Sequence, residues 1–286
     1  MKKVLVMGGT SLLGQYIIKS LEESPDFSIY ITVRKINARV INFYSPKTKI
    51  VQFEFKINEV ERIQKIIKEI KPDIIINCII SLNKSEVNFS EMILTNSFFP
   101  QHINDVCRQN LDTYFFIQIS SDAVFDGQAG NFSENNHSLP LNFYGLTKLA
   151  GELQGPNCLN IRTSFYGPNL LSKNKTIGFF DWALNTNEVL SGFKNYFFSG
   201  LSTIRLADEI KNILIEDEIR GTLHIAAQRI SKLELLLLIN ENSNKKEILI
   251  CGEPRVNMTL VSNYRPNYSM THEEMVQELF TFLQLH

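Results

Sequence analysis

The chain opens on an apolar run without alternation, Val4 to Met7, the pattern of a central parallel strand buried on both faces. Gly8-Gly9-Thr10-Ser11-Leu12-Leu13-Gly14 follows, and then Tyr16 to Leu21 with helical periodicity. Ser28 to Val33 is β-branched and aromatic and predicts a second strand; Lys49 to Phe55 predicts a third. Val60, Ile63, Ile66, Ile67 and Ile70 share one face of a helix over 60–70, with Asn58 as its expected cap. Pro72-Asp73 separates it from Ile74 to Ile80, a fully buried fourth strand. Phe89 to Asn110 is a long helical pattern in which Pro100 predicts a kink or a break. Tyr114 to Ile119 is the fifth strand, 122–142 a loop, Phe143 to Leu153 a helix and Cys158 to Thr163 the sixth strand. This alternation predicts an α/β fold with a Rossmann-type, doubly wound parallel sheet and right-handed crossovers.

After Ser164 the texture changes. Phe165 to Asn169 reads as a turn, Ile177 to Leu184 is apolar and aromatic, and Phe193 to Leu201 is aromatic with glycines. Leu206 to Ile215 is amphipathic, Thr222 to Ala226 strand-like, Leu233 to Ile239 helical, and Glu273 to Leu283 the final helix. There is no repeat and no flexible linker. The expected organisation is a cofactor-binding Rossmann domain over 1–164 and a smaller C-terminal α/β substrate lobe over 165–286, with segments such as 203–228 able to return to the first domain.

Composition narrows the function. The 286 residues are 44% hydrophobic, enough for one substantial core or a core plus a lobe. A net charge of -1, with charges scattered, gives no reason to expect a nucleic-acid partner. The four cysteines are far apart without a Cys-x-x-Cys pair, and the five histidines lack metal-ligand spacing. The expectation is reduced thiols, no metal and a cytoplasmic protein. Met1 to Gly9 starts like a signal peptide, but its apolar run is short and breaks into glycines. No run approaches the ~20 apolar residues of a membrane span.

The candidate chemistry lies at strand ends. A strand, a glycine turn and a helix form the context of a dinucleotide site, where backbone approaches pyrophosphate at a helix N-terminus. The candidates are Gly8, Thr10, Ser11, Leu12, Leu13 and Gly14; Ser11 replaces the usual middle glycine, which sets the turn off pattern. The second strand ends in Arg34-Lys35, where a basic residue suits the 2′-phosphate of NADP and an acidic one would suit NAD. The end of the fourth strand should reach the same crevice, which brings in Cys78 and Ile79 toward the cofactor and Ser81 toward the substrate. The fifth strand delivers Ser120, Ser121 and Asp122. Tyr144 and Lys148, four apart, share a helix face, and the ammonium is expected to lower the phenol's pKa toward neutrality. By itself such a pair reads more readily as two surface residues on a helix.

Together these residues resemble the extended short-chain dehydrogenase/reductase superfamily, and within it the dTDP-4-dehydrorhamnose reductase family of nucleotide-sugar reductases. The similar blocks are Gly-Gly-Thr-Ser-Leu-Leu-Gly (8 to 14), Lys-Pro-Asp-Ile-Ile-Ile-Asn-Cys (71 to 78), Asn96, Ser-Ser-Asp-Ala-Val-Phe-Asp-Gly (120 to 127), Leu-Asn-Phe-Tyr-Gly-Leu-Thr-Lys-Leu-Ala-Gly-Glu (141 to 152), Ile-Arg-Thr-Ser (161 to 164) and Arg-Pro-Asn-Tyr-Ser (265 to 269). The resemblance implies Tyr144 as general acid, Lys148 as the residue that binds the nicotinamide ribose, Ser121 as the hydroxyl that holds the substrate oxygen, and Asp122 on sugar hydroxyls. It implies NADPH, with NADH as the other option, a nucleotide-sugar substrate, and a monomer or homodimer. Four positions depart from the family pattern: Ala123 where an aromatic follows the aspartate, Phe165 where a tryptophan often frames the sugar, Lys56 for an acidic residue near the adenine, and Ser11 for glycine.

Neighbouring reactions separate on single residues. A sugar 4,6-dehydratase places a glutamate at the position of Ala123, and the epimerase-reductases use a cysteine just after the serines, which is missing here. Reduction of a 4-keto group is therefore the leading expectation. A nucleotide-sugar 4-epimerase, or a non-catalytic NADP-binding regulatory subunit, are the alternatives.

Overall fold

In the computed structural model, residues 1–54, 60–82, 88–172, 178–216, 219–243 and 246–285 are described. The first half alternates strand and helix: β1 (Lys2–Met7), α1 (Leu12–Glu22), β2 (Phe27–Val33), α2 (Ala38–Phe43), β3 (Lys49–Gln52), α3 (Val60–Ile70) and β4 (Ile74–Asn77). A long helical stretch follows as α4 (Phe89–Met92), a π-helical segment (Ile93–Phe98) and α5 (Phe99–Asn110), and then β5 (Phe115–Ile119), α6 (Phe143–Ala150) and β6 (Cys158–Arg162). These strands and β11 (Gly221–His224) form one sheet, in the order β11-β6-β5-β4-β1-β2-β3, with every pairing parallel.

The unbroken apolar runs of the inner strands follow from this position. Val4 and Val6 point into one apolar layer with Ile29, Ile31, Ile74, Ile76 and Ile117. Leu5 and Met7 point into the opposite layer with Ile75, Phe116, Ile63 and Ile67. Successive side chains of a strand face opposite sides, so a sheet covered on both faces has no polar positions to alternate.

Small elements complete the chain: β7 (Phe165–Tyr166), α7 (Phe179–Asn185), β8 (Leu190–Phe193), β9 (Tyr196–Phe198), β10 (Leu201–Ser202), α8 (Thr203–Glu216), β12 (Ile230–Ser231), α9 (Lys232–Glu241), β13 (Ile248–Cys251), β14 (Val256–Asn257) and α10 (His272–Leu285). They pair as β10-β7, β12-β9-β14 and β13-β8. Within the 203–228 stretch, β11 lies beside β6 as an edge strand of the main sheet.

Local expectations change in several places. Phe165-Tyr166 is a strand paired with Leu201-Ser202, not a turn, because a distant segment supplies the ladder. The long helix changes type just before Pro100: the chain has π geometry over Ile93–Phe98, and the proline falls in the first turn of α5. The helix α2 and the strand β13 were not expected. Asn58 and Lys56 lie outside the described residues. Among the described residues no helix is long and apolar enough to cross a membrane.

Candidate active site

The glycine turn joins β1 to α1. Gly8 has φ +84. A Cβ on Gly14 would lie 2.4 Å from the Gly8 carbonyl oxygen, so only glycine lets the helix start this close to the turn. Ser11 is extended (φ -72, ψ 157) and its hydroxyl accepts from the Gly14 amide at 3.1 Å. A serine in this conformation needs no glycine freedom, and it caps the helix. The departure at position 11 is therefore a cap rather than a defect. Leu12 and Leu13, in the first turn, carry amides that no helix satisfies internally, so they are donors for an anion. Thr10 offers its carbonyl to the buried Gln15 amide at 3.1 Å; Gln15 also accepts from the Leu170 and Leu171 amides, which ties 169–171 to the turn.

The flanking strand ends lie where expected. Register places Met7 beside Thr32 and beside Asn77. Arg34 and Lys35 leave β2 next to the turn and are exposed. A Cβ on Gly8 would sit 3.0 Å from Ile79 Cγ1 and 3.1 Å from the Cys78 carbonyl carbon, so the end of β4 abuts the turn. Burial pushes the Cys78 thiol up to about 12, which makes it an apolar wall and not a nucleophile. Ser81 is buried. Its amide donates to Asn96 Oδ1 at 2.8 Å, and its carbonyl accepts from Asn96 Nδ2 at 2.9 Å. That asparagine sits in the π segment and donates also to Thr147 Oγ1 at 3.1 Å, so it braces β4 against α6.

At the end of β5 the two serines part. The Ser120 hydroxyl donates to Glu152 Oε1 at 2.6 Å, and Arg162 grips the same carboxylate through two bonds of 2.8 and 2.7 Å. Ser120 is thereby an interior brace. Ser121 turns the other way: its hydroxyl donates to Asp122 at 3.1 Å and accepts from the Ala123 amide at 3.1 Å. Across the crevice stands α6, capped by Asn142, whose side chain accepts from the Gly145 amide at 2.8 Å. A Cβ on Gly145 would come within 2.0 Å of the Ala123 carbonyl oxygen. The glycine between Tyr144 and Leu146 thus lets α6 touch the Ser121–Ala123 turn, which brings Tyr144, Ser121 and Asp122 together.

The electrostatics differ from the sequence expectation in one respect. Burial, together with the Asp122 carboxylate, pushes the Tyr144 phenol above its ordinary pKa, and the Ser121 hydroxyl acts against that rise. Lys148 is buried, and its ammonium donates to the Ile119 carbonyl at 2.7 Å. Burial brings its pKa down to about 8, opposed by the Glu152 carboxylate and the Cys78 thiol. Asp122 is raised by burial, opposed by the Ser164 hydroxyl, the Lys232 ammonium and Ser121.

Sequence reasoning missed Lys232, Tyr196 and Ser164. All three act on or feel Asp122, yet nothing in the local pattern of the C-terminal half signals a strand end 40 to 110 residues away. Phe165, expected beside the sugar, is partly buried and packs against the main core, and Tyr196, like Tyr144, feels the Asp122 carboxylate. Arg265 and Asn267 are anchors: Arg265 pairs with Glu216 and Glu209, and Asn267 donates to the Ala227 carbonyl at 3.0 Å.

The chain is similar to several known proteins. A probable low-salt glycan biosynthesis reductase, Agl14 of Haloferax volcanii, is 25% identical over 232 residues, 78% of this chain and 74% of that protein. The beta subunit of methionine adenosyltransferase 2 of Xenopus tropicalis is 27% identical over 158 residues, covering 53% of this chain and 42% of its own. A crystal structure of a hypothetical dTDP-4-dehydrorhamnose reductase from Sulfolobus tokodaii superposes with TM-score 0.72 at 26% identity, over 90% of this chain and 91% of that one. The resemblance read from the strand-end motifs stands, and with it the oxidoreductase class. The model of the RmlD substrate binding domain matches residues 1–285, so the chain belongs to that family.

Proposed function

We propose that the chain reduces the 4-keto group of a nucleotide-activated deoxysugar, with NADPH as the reductant. The observation that carries this reading is the convergence of Ser121, Asp122, Tyr144 and Lys148 at the end of β5, beside a glycine turn shaped for a dinucleotide. The turn, the free first-turn amides of α1 and the exposed Arg34-Lys35 pair fit a pyridine nucleotide with a 2′-phosphate. When bound, the nicotinamide supplies hydride to the carbonyl carbon.

The chain's own residues do the rest. The Ser121 hydroxyl holds the carbonyl oxygen. Tyr144, its phenol kept protonated, donates to that oxygen as negative charge builds on it. Lys148, fixed on the Ile119 carbonyl, places a positive charge under the site and binds ribose hydroxyls. Asp122 accepts from a sugar hydroxyl.

A second reading, an NADP-binding regulatory subunit, rests on the similarity to the methionine adenosyltransferase 2 beta subunits. NADPH oxidation with dTDP- and UDP-linked 4-keto-6-deoxy sugars separates the two. Turnover by the unaltered protein, lowered about 10²–10⁴-fold in Tyr144→Phe with an unchanged melting midpoint, is the expected result for a general acid. NADPH binding without turnover of any keto sugar would favour the subunit reading.

A further inference from the structure

Lys232 is the first residue of α9, directly after its cap Ser231. A cation in the first turn opposes the helix dipole, so this is a costly place for one. Its ammonium lies 4.0 Å from the ring centre of Phe198, 4.9 Å from Phe179 and 5.6 Å from Tyr196. Three rings from α7 and β9 thus surround a charge carried by α9. Among the described residues no carboxylate stands within ion-pair distance of it, and its three N–H donors have no acceptor. The Asp122 carboxylate acts electrostatically on both Lys232 and Tyr196. The C-terminal elements therefore aim an unused donor at the strand end that carries the reaction centre.

On the reading of the chain as a nucleotide-sugar reductase, we infer that Lys232 is a specificity residue which, with Asp122, reads a hydroxyl of the sugar beside the reacting carbonyl. The pair presents one donor-only and one acceptor group. A hydroxyl both donates and accepts, so one such group satisfies the two at once. A carboxylate or phosphate at the same place would match Lys232 and be repelled by Asp122. The ligand class is thus a neutral, hydroxylated sugar, with the nucleotide's phosphates held elsewhere. The aromatic rings favour the ammonium electrostatically.

A purely structural lysine would only fill the space between the rings, and methionine fills it as well. The test is calorimetric titration of the unaltered protein, Lys232→Met and Asp122→Asn with dTDP-glucose and UDP-glucose, with free dTDP and UDP, and with NADP. In Lys232→Met the nucleotide sugar bound by the unaltered protein should bind about tenfold more weakly, the loss of one hydrogen bond to a charged group. Free nucleotide and NADP should bind as before, with an unchanged melting midpoint. Asp122→Asn should show the same selective loss. Equal nucleotide-sugar affinity in Lys232→Met, or a parallel loss of all ligands, overturns the inference while leaving the reductase reading in place. Failure of the unaltered protein to bind any nucleotide sugar overturns that reading and this inference with it.

Discussion

Lys148 is buried with its ammonium on a main-chain carbonyl, and burial holds its pKa at about 8. It is charged below that pH and loses its charge above it. kcat/KM for keto-sugar reduction should therefore fall as pH rises through about 8, since that ratio reports groups of the free enzyme. A limb set by Tyr144 would instead lie above the ordinary phenol value of about 10, because burial raises it. A pH profile of kcat/KM decides between them. Arg34 leaves β2 exposed beside the glycine turn. Arg34→Asp should raise KM for NADPH more than for NADH; equal changes in the two constants would dismiss a role in the 2′-phosphate.

Helix α6 carries both Tyr144 and Lys148, and its position is set by close backbone approach rather than by propensity. Gly145 meets the Ala123 carbonyl at one end, and Gly151 meets the Asn96 carbonyl at the other, where a Cβ would lie 1.9 Å from the oxygen. Gly145→Ala should shift α6 away from the Ser121 turn. It should cost about 1–3 kcal/mol of stability, as overpacking does, and lower kcat more than the stability loss explains. Chemical denaturation alongside turnover at saturating substrate would test it. Loss of stability with full kcat would mean that α6 can move without moving the phenol. The same element shows why the Tyr-x-x-x-Lys spacing is weak alone: it places two side chains on one face, and only Gly145, Asn142 and Asn96 say which surface that face meets.

At the scale of the molecule, the 122–142 loop is pinned to the C-terminal segment. Glu134 accepts from the His224 amide at 2.8 Å, the Asn263 amide at 2.8 Å and the Ser262 hydroxyl at 2.5 Å. Phe132 bridges Leu260, and the Asn257 amide donates to Gly127 at 2.6 Å. Burial alone would raise the Glu134 pKa, but these donors outweigh it and hold the carboxyl below its ordinary value. A lowered folded pKa adds stability that is fully present above the unfolded value of about 4.3 and is lost as pH falls through the folded value. Glu134→Gln should lower the unfolding free energy by about 1–3 kcal/mol at neutral pH. The gap to the unaltered protein should shrink below about pH 4 as that carboxylate protonates. Denaturant titrations at several pH values would show it; a constant gap would mean that the charge is irrelevant to the clamp.

Apart from α2, the helices and strands of the first half were legible because their cause is local. Val4 to Met7, Val60 to Ile70 and Phe115 to Ile119 carry their burial pattern in consecutive residues, and the glycine turn carries its backbone demand in Gly8 and Gly14. The strand ends that hold the site follow from that order. What depended on segments far apart in the chain was decided only by the tertiary structure. Phe165-Tyr166 is a strand because Leu201-Ser202 lies beside it, and Ser120 braces Glu152 while Ser121 faces the crevice. Lys148 rests on Ile119, and burial and Asp122 raise the phenol. Lys232 lies over three aromatic rings from other elements and acts on Asp122 from α9, 110 residues further along the chain. Charge, desolvation and close approach depend on distance in space, and no spacing along the chain encodes them.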